Sequence, residues 1–223
     1  MDVRFFLNRR ITFIQQLYVT ASDPYRERKR KIETEEEPFI PPYSEDGEPP
    51  FLEEWLEAEE SLQVIGRSCI SMLSATLHLY FKTWERQIGI PVDESMKSDF
   101  KNGWFHGYKA YFARHTGIKF ENGPSNLAML EELVLARNRI QHPDSITCQS
   151  THYADNDLQK IPHPFFVDEK KMGLIAESDD DQYMWLMPPT RSVSRESLFT
   201  ALAEVESFAE WLEQVEIEEH VRS

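Results

Sequence analysis

Arg137, Asn138, Arg139 and His142 fall in one short stretch, EELVLARNRIQHP. A guanidinium is a permanent cation whose donors match an oxyanion, and an imidazole can take or give a proton near neutral pH. Wound as a helix at about 100° per residue, the stretch clusters Leu130, Leu133, Val134 and Ile140 around Arg137. Arg137 then points along the middle of the apolar face, while Glu132 and Arg139 point the other way. Desolvating a guanidinium is costly, so an arginine aimed there meets either a carboxylate of the chain or an anionic ligand. Asn138 flanks Arg137. In an unbroken helix His142 would lie on a different face. Pro143, however, disfavours helical backbone at the residue before it, which frays the helix end and lets the His142 ring turn toward Arg137. The negative end of the helix dipole favours protonated imidazole at such a position.

The remaining polar groups make poorer sites. Cys148, His152 and His163 follow no zinc-ligand spacing and lack a fourth partner. Gly103 and Gly107 bracket His106 at a spacing that suits close helix packing. The aromatic residues around them could stack on bases, but their helical period suits a core better. Glu53–Glu60 reads as a solvated face and Asp179–Asp181 as a turn. Both cysteines, Cys69 and Cys148, read as small buried or half-buried hydrophobes. There is no glycine-rich phosphate loop and no serine–histidine–acid arrangement, so neither metal nor cofactor is expected.

Periodicity and punctuation predict the elements that must position Arg137 and His142. A first helix covers 3–20, with Phe6, Phe13, Ile14, Leu17 and Tyr18 near one face, followed by the basic run Arg26–Lys31 and the acidic run Glu33–Glu37; together, 1–37 form an N-terminal helix and charged arm. Five prolines in 38–50 mark an extended linker. A long helix runs from about Phe51 to Gln87, its apolar stripe passing through Leu52, Trp55, Leu56, Leu62, Ile65, Cys69, Leu73, Leu77, Tyr80, Phe81 and Trp84, and Gly89 with Pro91 stops it. A second spans about 98–115, and a third begins after Gly123-Pro124 and ends at His142-Pro143. In 151–193 the helical period lapses. Phe165–Val167, Leu174–Ala176 and Tyr183–Leu186 suggest short strands, hence a small β-hairpin or loop insert near 160–190. A last helix covers about 194–219, with a near-heptad seam of Leu198, Leu202, Val205, Ala209, Leu212 and Val215. The expected fold class is mainly all-α: a bundle over 51–223 with an N-terminal arm and an insert at 151–193.

In that setting, Arg137, the polar Asn138 directly after it, three further residues and then His142 resemble the Arg-x4-His motif of the HEPN superfamily, which lies at the C-terminal part of a helix in an α-helical bundle. The resemblance covers about 51–212, and its specific motif is Arg137–His142 alone. What it implies is metal-independent cleavage of RNA. Motif helices of two protomers face each other in a homodimer, the RNA 2′-OH serves as nucleophile, and a 2′,3′-cyclic phosphate results. Arg137 and His142 are then catalytic, Asn138 supports them, and Arg139 is a further candidate RNA contact. A toxin or defence role goes with this, and with it a separate antitoxin or inhibitor protein as partner. Many HEPN-like domains are instead non-catalytic interaction or regulatory modules, which is the alternative.

The charge balance bounds these readings. The 223 residues carry a formal net charge of −15, which argues against broad coating of nucleic acid or an anionic membrane. The acidity is uneven. Residues 32–61 are net −12 and 194–223 net −6, whereas 62–150, which hold the Arg/His motif, are net +2. One small cationic site is compatible with that distribution. No apolar run approaches a membrane span, and Arg9 and Arg10 interrupt the early apolar stretch that would otherwise resemble a signal peptide, so a cytoplasmic protein without membrane partners is expected. For the basic run Arg26–Lys31 three roles are open: steering RNA, pairing with an acidic flank of the same or another protomer, or forming a solvated face. The adjacent acidic run favours the latter two.

Overall fold

A computed structural model describes residues 2–42, 49–141, 152–153, 155–161, 163–168 and 190–222; within its helices the side chains at 138–141, 155–156, 160 and 216–222 fall outside that description. Seven α-helices form among the described residues: α1 Val3–Glu33, α2 Leu52–Ile88, α3 Lys97–Lys101, α4 Trp104–His115, α5 Leu127–Gln141, α6 Asp155–Lys160 and α7 Arg195–Arg222. The architecture is the expected all-α bundle. α2 is its spine, with α1, α4, α5 and α7 packed on it. The helix boundaries of α2, α5 and α7 follow the periodicity closely. Gly89 ends α2 in the left-handed region, its N–H bonding to the Glu85 carbonyl, and Ser194 caps α7 by accepting the Ser197 N–H at 3.0 Å.

Aromatic residues fill the centre. Phe81 of α2 is fully buried and meets Phe105, Tyr108 and Phe112 of α4, Phe120 and Phe208 of α7 within 6.0 Å between ring centroids. Leu198, Leu202, Val205, Ala209 and Leu212 of α7 are buried as their seam requires. Leu52 and Leu56, by contrast, belong to the stripe predicted for α2 but are about half exposed.

α1 corrects the expectation of a helix ending near residue 20. It continues through Pro24 to Glu33. A proline inside a helix forfeits a backbone hydrogen bond and crowds the preceding turn. Contacts with α2 on the far side offset this. Arg28 pairs with Glu57 at 3.0 Å, Lys29 pairs with Glu59 and lies 4.1 Å from the Trp55 ring centroid, and the Trp55 indole donates to Glu33 at 2.9 Å. The basic run thus meets the acidic run of its own chain, and Glu53–Glu60 is a partner surface as well as a solvated one. Arg30 turns instead to Glu27 and Glu36.

The single helix expected over 98–115 is two. Gly103, at φ 114, breaks the chain between α3 and α4 in a conformation that favours glycine. α3 then folds back onto α4. A Cβ at Gly107 would come within 2.6 Å of Phe100 ring atoms, so Gly107 serves close packing, whereas a Cβ at Gly103 would meet nothing within 4 Å and that glycine serves the break.

The insert differs too. His152 pairs with Thr190 and Val167 with Arg191, each as an isolated antiparallel bridge, and no strand forms among the described residues. The physical reason lies in α5. Glu132 takes up the backbone N–H groups of Phe165 and Phe166, at 2.7 and 2.9 Å, which a sheet ladder would have used. α6 forms here where no helix was expected. Leu174–Ala176, Tyr183–Leu186 and Asp179–Asp181 lie outside the described residues.

Candidate functional site

α5 carries the Arg/His motif and is covered on most of its circumference. Met129, Leu130, Glu132, Leu133, Val134 and Ala136 are all buried. This arc centres near Leu133 rather than on Arg137, so Arg137 lies toward one edge and is half-buried. Glu132 corrects the expectation that it faces away from the packed side: it is 1% exposed. Besides the two backbone N–H groups, its carboxylate accepts the Tyr153 hydroxyl at 2.5 Å. Burial, reinforced by that carboxylate, keeps the Tyr153 hydroxyl protonated far above its ordinary range. Arg191, 2% exposed, lies 4.1 Å from the Tyr153 ring centroid and donates to Asp157 at 2.8 Å and to the His152 carbonyl at 3.1 Å. The bundle holds one side of α5, and this polar cluster clamps the other. That fixes the direction in which the helix carries its C-terminal motif.

Arg137 acts electrostatically on a residue that motif spacing does not reveal. His78 of α2 stacks on Trp104 of α4, with 4.5 Å between ring centroids and 12° between planes, and meets Tyr108 edge-on at 6.1 Å. Behind it the Tyr108 hydroxyl donates to Glu85 at 2.7 Å, and burial together with that bond raises the hydroxyl's pKa. Burial pushes His78 down to about 4; the neighbouring cations Lys82 and Arg137 push the same way, against Glu85. At neutral pH this imidazole is therefore uncharged, with one nitrogen able to donate and the other to accept. His78 and Lys82 are four residues apart on one face of α2, and Lys82 is exposed while His78 and Trp104 are half-buried. A neutral imidazole and an indole from two helices thus stack, and the charges of Lys82, Arg137 and Glu85 all act on the imidazole. That set can hold an anion beside a flat apolar ring. The sequence signal for it was slight: a histidine beside the α2 stripe, one turn before a lysine.

The other predicted residues separate from this neighbourhood or fall outside description. His142 and Cys148 lie outside the described residues. Asn138 and Arg139 continue α5, and their side chains are likewise outside. His106 and His163 are exposed, and His152 lies 3.4 Å from the Thr190 hydroxyl. Among the described residues no group of three or more His, Cys, Asp or Glu is placed to hold a metal ion, and no helix is long and apolar enough to cross a membrane. Cys69 is buried, and that burial pushes its thiol up to about 11, well away from a reactive thiolate. A shallow groove between α1 and α2 is lined by Val3, Phe6, Leu7, Leu79 and Tyr80, with Arg10 at its rim. Compared with protein-family models, with curated proteins and with solved structures, the chain matches none.

Proposed function

We propose that the chain is a HEPN-like endoribonuclease of the toxin or defence type, acting on RNA as a homodimer through Arg137 and His142 of both protomers. The observation that carries the reading is Arg137 itself. It is half-buried on a helix whose other inward residues are closed off, and its charge, like that of Lys82, acts on the neutral imidazole of His78. That is an environment for an anion rather than for another hydrophobe. In the proposed reaction the RNA 2′-OH attacks the adjacent phosphorus, one His142 takes its proton, and Arg137 stabilises the charge that builds on the phosphoryl oxygens. The His142 of the opposing motif returns a proton to the 5′-oxygen as the P–O bond breaks. The products are a 2′,3′-cyclic phosphate and a free 5′-hydroxyl. Asn138 supports His142, Arg139 is a further contact to the RNA backbone, and a separate inhibitor protein keeps such an activity in check.

The test compares wild type with His142→Ala, both confirmed to be folded and of the same oligomeric state, on RNA in the presence of a chelator. Cleavage by the wild type alone supports the reading. Two inert proteins, or two equally active ones, contradict it. One observation favours the alternative, a non-catalytic interaction module. Phe6, Phe13 and Leu17 of α1 and Leu79 of α2 are exposed, at 50%, 57%, 38% and 41%, and apolar groups left open to solvent are what a binding partner covers.

A further inference from the structure

We propose that His78, Trp104 and Lys82 form a nucleotide subsite, in which one RNA base lies against the His78–Trp104 ring pair and the phosphate next to it meets Lys82. This deepens the reading of the chain as an RNA-cleaving protein and rests on it. The His78 and Trp104 rings are nearly parallel, come from different helices and are only half-buried. A completed core would close over such a pair, whereas a stacking platform leaves it partly open. Neither nitrogen of His78 hydrogen-bonds a described residue, so both remain available to a base edge. Its neutrality near pH 7 leaves one nitrogen as an acceptor, which an imidazolium would lack. Tyr108, held by Glu85 and packed edge-on to Phe100 at 5.2 Å, backs the platform and keeps it from collapsing inward. Lys82 is exposed one turn along from His78 on the same face of α2, and its charge is felt at the imidazole. Together the three side chains offer what a nucleotide has to satisfy: a face, an edge and a charge.

The probe is a fluorescein-labelled 2′-O-methyl oligoribonucleotide, which lacks the 2′-OH and is bound without being cut. It is titrated against wild type, Trp104→Leu, Lys82→Ser and, as a control on an exposed lysine elsewhere, Lys119→Ser, each checked for helicity and melting temperature. The proposal predicts about tenfold weaker binding for Trp104→Leu, consistent with the loss of one base stack. It predicts a several-fold loss for Lys82→Ser with the salt dependence reduced by about one phosphate contact, and no change for Lys119→Ser. Wild type that does not bind the probe overturns the proposal, as do variants that bind like wild type or a Lys119→Ser loss equal to that of Lys82→Ser. Should Trp104→Leu not fold, the exposed Lys82 decides the matter. The two claims fail separately. Cutting of ordinary RNA with unaltered binding by the variants removes the subsite and leaves the nuclease. Variant-sensitive binding by a wild type that never cuts RNA removes the nuclease and leaves the subsite.

Discussion

His78 is a titratable group held neutral inside a largely aromatic corner, and this makes folding sensitive to acid. Its pKa lies near 4 in the folded chain against an ordinary value of 6.5. As pH falls through 6.5 the unfolded chain takes up a proton that the folded chain refuses until about 4. His78 therefore draws stability down progressively across that window, with no further loss below it. Replacing it with phenylalanine keeps the ring stack and removes the titration. The melting temperature of His78→Phe should accordingly fall less between pH 6.5 and 4 than that of wild type; parallel curves would contradict the assignment. Arg137 and His142 stood out in the sequence because two chemically loaded residue types sat at a spacing that a helix end makes meaningful. His78 did not, because what sets its environment is burial against Trp104 and Tyr108 of α4, which are not near it in the chain.

Among the elements, α5 shows where a helical wheel succeeds and where it stops. Leu130, Leu133 and Val134 were legible as inward-facing from spacing alone. Glu132 was not, because what buries it is the chain returning at Tyr153, Phe165, Phe166 and Arg191, and a carboxylate gives no sign in advance that backbone N–H groups will come to meet it. The same return explains why a lone bridge at Val167 stands where a strand over Phe165–Val167 was expected. Its energetic weight can be measured. Glu132→Leu leaves the N–H groups of Phe165 and Phe166 and the Tyr153 hydroxyl without their acceptor, and should cost at least about 3 kcal/mol in denaturant unfolding. Asp157→Ala should cost about 3–5 kcal/mol by stranding the buried Arg191 guanidinium, whereas replacing both partners of that pair with apolar residues should recover much of the loss. Values near zero for both single variants would mean that the polar cluster does not hold the segment on α5. The break at Gly103 and the passage of α1 through Pro24 escaped the sequence pattern for a related reason. One depends on α3 folding back onto Gly107, the other on ion pairs with α2, and both are tertiary effects that override local preference.

On the scale of the whole molecule, the charge of −15 is distributed so that acidity at the start of α2 is partly met by the basic end of α1, as in the Arg28–Glu57 and Lys29–Glu59 pairs. The basic run is thus engaged at home, and the cations next to the aromatic corner, Lys82 and Arg137, belong to the mildly basic middle of the chain. The bundle as a class was legible because α2, α5 and α7 each declare a long apolar stripe. Its aromatic centre around Phe81 was legible as composition, though not as an arrangement. What the arrangement adds is a fixed platform on which α5 presents Arg137 beside α2 and α4. The most direct test of the proposed chemistry is single-turnover cleavage of a 5′-labelled RNA in excess chelator by wild type and by Arg137→Ala of matched fold and oligomeric state. Wild type should yield fragments ending in 2′,3′-cyclic phosphate, and Arg137→Ala should be slower by about a hundredfold or more, as expected when a principal stabiliser of transition-state charge is removed. Equal rates for the two proteins, or no cleavage by wild type, would contradict the account.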